Sequence, residues 1–296
     1  MSDSNNHINP LRVLITGASG QLGRELVNAF SQTEAHIVAA DHSRLDITDE
    51  DAVRRFLAEG DFTHIINCAA YTAVDKAESE PQKCFSINID GVANLVRGAL
   101  EHGIRLVHIS SDYVFAGTAH TPYTEDSPIG PLGVYGRAKL GGEGVITMYE
   151  ADAMIIRTGW LYSPHGNNFV KTILRKASEG KALRVVGDQT GTPTYAAHLA
   201  EAIVDILTNH AWQPGIYHYS NAGETTWYEF AAEILRMTAS DVSLTECTTA
   251  EYPTPAKRPP YSVLDKTKII NTFNIVIPHW TEGLKECLAA MGYNNF

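Results

Sequence analysis

Short, nearly uninterrupted apolar runs alternate with amphipathic stretches through the first half of the chain, and few folds accept that rhythm. Leu11–Thr16 (LRVLIT), His36–Ala40 (HIVAA), His64–Cys68 (HIINC), Arg105–Ser110 (RLVHIS) and Ala153–Arg157 (AMIIR) read as buried strands. Between them, Gln21–Ser31, Glu50–Ala58, Pro81–His102 and Tyr135–Tyr149 read as helices. A strand with apolar residues on both faces needs cover on both, which a parallel sheet flanked by helices supplies. The expectation is an α/β fold with a doubly wound parallel sheet over residues 11–157. After Thr158 the rhythm loosens. Phe169–Gly180, His198–Asn209 and Thr226–Met237 read as helices, and Leu183–Val186 and Gly215–Ser220 as strands. Some elements within about 183–220 are expected to return to the sheet. Residues 158–296 would mainly build a smaller C-terminal lobe closing over the sheet's carboxyl edge, where open α/β sheets bind ligands. Residues 248–262 hold four prolines and read as a loop, while the polar residues 1–10 are expected to be disordered.

Composition bounds the function. A formal charge of −11 opposes a general nucleic-acid partner, because phosphate backbones repel such a surface. No run approaches the roughly 18 apolar residues of a membrane span, and residues 1–10 lack the apolar stretch of a signal peptide. The four cysteines form no Cys-x-x-Cys pair, which fits free thiols in a reducing cytoplasm. The twelve histidines form no His-x-x-x-His pattern, so no catalytic metal is expected.

The turn after the first strand reads Thr16-Gly17-Ala18-Ser19-Gly20-Gln21-Leu22-Gly23. Between a strand and a helix, such glycines let backbone approach a phosphate, and the helix N-terminus offers unpaired N–H groups to a pyrophosphate. This Rossmann-like turn predicts dinucleotide binding by Gly17, Ser19, Gly20, Gln21 and Leu22. Asp41, closing the second strand, would accept the adenosine ribose hydroxyls. Arg44 nearby would pair with a 2′-phosphate instead, so NADPH and NADH both remain open. Asp46 and Ile47 are expected to flank the adenine, and Ala69, Ala70 and Tyr71 to line the cofactor trough.

Tyr135 and Lys139 stand four residues apart, which on a helix puts them on one face. A phenol near pKa 10 is a poor acid–base group at neutral pH, and a nearby ammonium would bring it down. Ser111, at the end of the fourth strand, would hydrogen-bond a substrate oxygen while Tyr135 protonates it. Trp160 would pack on a sugar face or in the core. Asn168 and Lys171 lie on the next loop and helix, with Lys171 and Arg175 spaced to pair with a diphosphate or to form a solvated face. Arg258, in the proline-rich loop, is expected to contact phosphate or sugar. Trp227 reads as core.

With the glycine turn, these residues resemble the extended short-chain dehydrogenase/reductase superfamily. CAAYTAVDKAESE (68–80), SSDYVFAG (110–117), VYGRAKLGGE (134–143), RTGWLY (157–162), GNNFVK (166–171), DQTGTPT (188–194) and PAKRP (255–259) narrow the resemblance to the dTDP-4-dehydrorhamnose reductase family, across about residues 11–285. The resemblance implies hydride transfer from NADPH or NADH to C4 of dTDP-6-deoxy-L-lyxo-4-hexulose, giving dTDP-L-rhamnose for cell-surface polysaccharide. It implies that Ser111 matches a position usually held by Thr. Asp112 and Tyr113 would lie beside the sugar, and Lys139 would bind the nicotinamide ribose and lower the Tyr135 pKa. Some members of this family form dimers bridged by a divalent ion held by glutamates. Glu25 fits one such position, but Thr194–His198 supplies alanine at the other, so the chain is expected to be a monomer or an ordinary homodimer with no metal. Related dehydratases carry Thr-Asp-Glu where this chain has Ser111-Asp112-Tyr113, which argues against dehydration. Reductases of the talose or streptose type, and a non-catalytic regulatory subunit, are the alternatives.

Overall fold

The computed structural model describes residues 11–294; the expected disorder of 1–10 lies outside them. Five strands come from the first half: β1 (Arg12–Thr16), β2 (His36–Ala40), β3 (His64–Asn67), β4 (Arg105–Ser111) and β5 (Ala153–Thr158). Short strands follow at β6 (Leu161–Tyr162), β7 (Leu183–Val186), β8 (Thr190–Gly191) and β9 (Thr194–Tyr195). Then come β10 (Gly215–His218), β11 (Thr225–Thr226) and β12 (Leu244–Cys247). One parallel sheet runs β10-β5-β4-β3-β1-β2, so the order reverses direction at β1 and β3. Crossovers leaving to opposite sides open a crevice at the carboxyl ends of those strands. All six residues of β5 and all four of β3 are buried, as the continuous apolar runs require.

The helices are α1 (Gln21–Phe30), α2 (Glu50–Gly60), α3 (Val74–Ala77), α4 (Pro81–Phe85), α5 (Gly91–His102), α6 (Val134–Met148), α7 (Phe169–Ser178), α8 (Ala196–Asn209), α9 (Trp227–Met237), α10 (Thr267–Phe273) and α11 (Trp280–Ala290). In α1, Leu22, Leu26 and Phe30 recur at four-residue spacing and bury against the sheet and Leu199, Ile203 and Ile206 of α8. On the other face, α2 and α5 pack Val53, Leu57, Val92 and Leu95 over the sheet. The single helix expected over Pro81–His102 is α4 and α5 joined by a π-helical stretch, Ser86–Asp90. The wider turn places Asn88 so that its amide donates to the Tyr71 carbonyl and accepts from the Tyr71 N–H, both at 3.1 Å.

The expected return to the sheet is made by β10 and by α8, whereas β7 pairs with β12 outside it. α10, without an expectation from the sequence, seals β10 with Ile269 and Phe273. α7, α9, α11 and β7 enclose a separate core around Tyr162, Phe230, Ile234 and Leu284. Thr226 and Glu229 start α9 with a reciprocal capping box. Among the described residues, no helix is long and apolar enough to cross a membrane.

Candidate active site

A cleft of about 970 Å³ opens between the carboxyl edge of the sheet and the second lobe. Its floor is the β1–α1 turn. Gly17 adopts φ 63°, and a Cβ there would lie 2.6 Å from the Ala69 nitrogen; one on Gly23 would lie 2.5 Å from the Gly17 oxygen. Glycine is thus required twice, once by conformation and once by contact. At Gly20 an added Cβ would meet only the Gly17 oxygen, at 3.2 Å, and Gly20 gives α1 no side-chain cap. The first N–H groups of α1 thereby stay available to an anion, and no acidic residue stands in that first turn. These residues fit a dinucleotide pyrophosphate.

Ser111, Tyr135 and Lys139 meet on one wall of the same cleft. β4 delivers Ser111 at its last residue, and the start of α6 delivers the other two. Ser111 Oγ donates to Asp112 Oδ1 at 3.0 Å and accepts the Tyr113 N–H at 3.2 Å. The Tyr135 ring stands edge-on to Tyr113, with centroids 5.4 Å apart. Lys139 is buried, and its Nζ donates to the Ile109 carbonyl at 2.7 Å. Burial lowers its ammonium to about 8, opposed mainly by Glu143.

The phenol departs from expectation. Burial pushes Tyr135 up, with the Ser111 hydroxyl pulling the other way, so desolvation dominates and Tyr135 stays protonated through the neutral range. That is the form a proton donor needs. Asp112, 2% exposed, is raised by burial to about 6 against hydrogen bonds from Ser262 and Ser111, and its Oδ2 has no hydrogen-bond partner among the described residues.

The family model described as the RmlD substrate binding domain matches residues 11–293. The chain belongs to the RmlD family. A probable dTDP-4,6-dihydroxy-2-methyloxan-3-one 4-ketoreductase of Streptomyces antibioticus is 41% identical over 278 residues, 93% of this chain and 94% of that protein. The dTDP-4-dehydrorhamnose reductase of Aggregatibacter actinomycetemcomitans is 40% identical over 289 residues, 94% and 98% of the two chains. A solved dTDP-4-dehydrorhamnose reductase of Bacillus anthracis, in complex with NADP, matches with a TM-score of 0.91 and 38% identity over 95% of this chain and 99% of that one.

In this RmlD-family chain, Gly17, Gly20, Gln21, Leu22 and Ala70 of the expected cofactor contacts line the cleft beside Lys139. Ser19 is exposed, its carbonyl accepting from Arg24, and Ala69 serves as the wall that Gly17 abuts. Asp41 and Asp46 turn one carboxylate oxygen onto their own loops, toward Ser43 and Arg44 and toward Thr48. Two expectations need correction. Ile47 is buried in the core against Gly91, with its carbonyl taking the Asn94 amide, so its side chain does not face an adenine. Tyr71 donates its hydroxyl to Glu80 at 2.7 Å and does not line the cleft.

Of the expected substrate contacts, Asp112, Tyr113, Trp160, Asn168 and Arg258 line the cleft. Lys171 does not: its Nζ donates to the Pro164 carbonyl at 3.1 Å, and Arg175 pairs with Glu179 on the exposed face of α7. The diphosphate pair expected from their spacing is therefore absent from the cleft. Arg258 reaches it already engaged, donating to both Asp75 oxygens at 3.0 and 2.9 Å and to Thr254. This straps the proline-rich loop to α3. Asn168 caps α7 and donates to Gln21 at 2.8 Å, joining the lobes at the cofactor turn.

Trp160 lies flat against Trp227, with centroids 3.5 Å apart, and holds φ 50°, a conformation rare for a bulky residue. A Cβ on Gly191 would sit 2.5 Å from the Trp160 ring, so glycine there seats the indole. Trp227, read from sequence as core, thus lines the cleft, as do Thr72, Asp75 and Phe169. Thr72 and Asp75 fall within CAAYTAVDKAESE, the one signal that could have found them. Glu25 is buried 3.8 Å from His165, and among the described residues no three metal-ligating side chains gather there or elsewhere.

Proposed function

We propose that this chain is a dTDP-4-dehydrorhamnose reductase, reducing the C4 keto group of dTDP-6-deoxy-L-lyxo-4-hexulose to dTDP-L-rhamnose with NADPH or NADH. One observation carries the reading: buried Ser111 and Lys139, with half-buried Tyr135 between them, face an uncapped, glycine-built helix terminus across a single cleft. When bound, the nicotinamide supplies a hydride. Gly17, Gly20 and the first amides of α1 would hold its pyrophosphate, and Lys139 its ribose. Ser111 would turn its hydroxyl from Asp112 to the keto oxygen. Tyr135, kept protonated by burial, would pass the phenolic proton to the developing alkoxide. Tyr113 stands where a dehydratase would carry glutamate, leaving no carboxylate at that position to drive loss of water.

The sugar would lie between this wall and the Trp160–Trp227 stack, with the nucleotide toward the Arg258 strap. The Streptomyces antibioticus relative favours a second reading, a 4-keto reductase acting on a different dTDP sugar. We place the reaction in a reducing cytoplasm, in a monomer or homodimer. The test is incubation with dTDP-6-deoxy-L-lyxo-4-hexulose and each reduced nucleotide, followed by analysis of the sugar. A rhamnose-configured product is expected. Oxidation of neither nucleotide rejects the reductase, and a talose-configured product rejects only the rhamnose assignment. Tyr135→Phe should bind cofactor normally and turn over roughly 10²–10⁴-fold more slowly.

A further inference from the structure

One buried charge cluster lies outside the steps described so far. Glu143 sits one helical turn beyond Lys139 on α6 and is 3% exposed. Its Oε2 takes Arg157 Nη2 at 2.7 Å, and its Oε1 takes Arg157 Nε at 3.0 Å and the Ser110 hydroxyl. Arg157, 2% exposed on β5, also lies over the Phe115 ring, with its Cζ 5.2 Å from the centroid. One carboxylate therefore ties α6 to β4 beside Ser111 and to β5. A structural ion pair alone would explain the Arg157 contact. It would not explain why the pair stands next to a buried ammonium.

Lys139 is faced by few groups able to balance it. From β3's end comes Cys68, whose thiol burial pushes up to about 12; from α4 comes Cys84, also raised by burial. From β4 comes His108, whose imidazole is held well below its usual value by burial and by Lys139. All three are neutral near pH 7. Among the described residues, the carboxylate acting on Lys139 is that of Glu143.

We propose that Glu143 is a positioning residue of this site: it keeps the buried Lys139 cationic and fixes the height of α6 against β4 at Ser110, the neighbour of Ser111. The inference rests on the proposed role of Lys139, but it can be tested without substrate or cofactor. Labelling of Lys139 by trace acetic anhydride across pH, read by peptide mass spectrometry, gives its midpoint in the free protein. Glu143→Gln should lower that midpoint by about one pH unit, the scale of a nearby opposite charge. The alkaline limb of NADPH binding should move the same way. Because Glu143→Gln strands Arg157, the double variant Glu143→Gln/Arg157→Met is made alongside; it should fold and still show a lowered midpoint. Glu143→Asp, which keeps the charge, should restore most of it. An unchanged midpoint in a folded variant overturns the proposal. Failure of both variants to fold does so too, by showing a purely structural pair. A lowered midpoint in the variants, with the wild-type protein inactive toward the keto sugar, would instead reject the reductase reading alone.

Discussion

Gly23→Ala isolates the cofactor turn from the rest of the site. The new Cβ would lie 2.5 Å from the Gly17 oxygen, 2.6 Å from Ala18 Cα and 2.9 Å from the Ala18 carbonyl carbon. All three are backbone atoms, so no side chain can swing away, and α1 must lift from the turn. Overpacking of this kind costs about 1–3 kcal/mol. The protein has roughly 5–15 kcal/mol to lose, so it should stay folded with a lower Tm. Lifting α1 moves its first N–H groups away from Gly17 and Gly20, where a pyrophosphate would sit. If the same 1–3 kcal/mol appears in binding, NADPH affinity falls roughly 5- to 150-fold. Gly144→Ala is the control: it is exposed in mid-α6, and its Cβ would meet nothing within 4 Å. It should gain about 0.5–1 kcal/mol of stability from helix propensity and leave affinity untouched. Titration of NADPH fluorescence, with Tm measured in parallel, reads both variants. A folded Gly23→Ala protein that binds NADPH within twofold of native would refute the cradle.

Two further outcomes follow from single contacts. Arg258→Met removes the strap from Asp75, which should raise KM for the nucleotide sugar and expose the 252–260 loop to protease, with little change in Tm because the pair is partly solvated. The Arg258 hydrogen bond holds the Asp75 carboxyl below its usual range, so the strap's contribution is present above about pH 4 and fades only as pH falls below it. Asp112→Asn should raise stability while lowering turnover. With its carboxyl held at about 6, Asp112 costs nothing below about pH 4, a growing amount between there and pH 6, and about 2–3 kcal/mol above that. Urea midpoints at pH 8 and pH 4 should show the gain at pH 8 and its loss at pH 4; equal gains at both would exclude the carboxylate as the cause.

The parts legible in the sequence are those written in local periodicity. Runs such as HIINC and AMIIR give the buried strands, the Gly17–Gly23 spacing gives the turn, and the four-residue step from Tyr135 to Lys139 gives the face of α6 that lines the cleft. The misses arise where the deciding partner is remote. Arg258 reads as a phosphate or sugar contact with no sign that Asp75, 183 residues away in sequence, already holds it, and Trp227 reads as core because its place at the cleft is set by Trp160, far from it along the chain. Lys171 has the spacing of an anion site, yet the carbonyl of Pro164 holds it. The π-helical turn that carries Asn88 under Tyr71 has no compositional mark, since one extra residue per turn leaves the apolar pattern of Pro81–His102 nearly intact.

The direction of the Tyr135 shift is the most instructive miss. Tyr-x-x-x-Lys spacing argues for a phenol pulled down by an ammonium, a comparison of two charges in isolation. In the folded chain both groups are desolvated, which raises the phenol and lowers the ammonium. Burial thus keeps Tyr135 protonated and brings Lys139 to about 8, with Glu143 acting against that fall. The pair spaced four apart is better regarded as a set of three at positions 135, 139 and 143. In the proposed reaction the first would give the proton, the second would stabilise the anion left behind, and the third would keep the second charged.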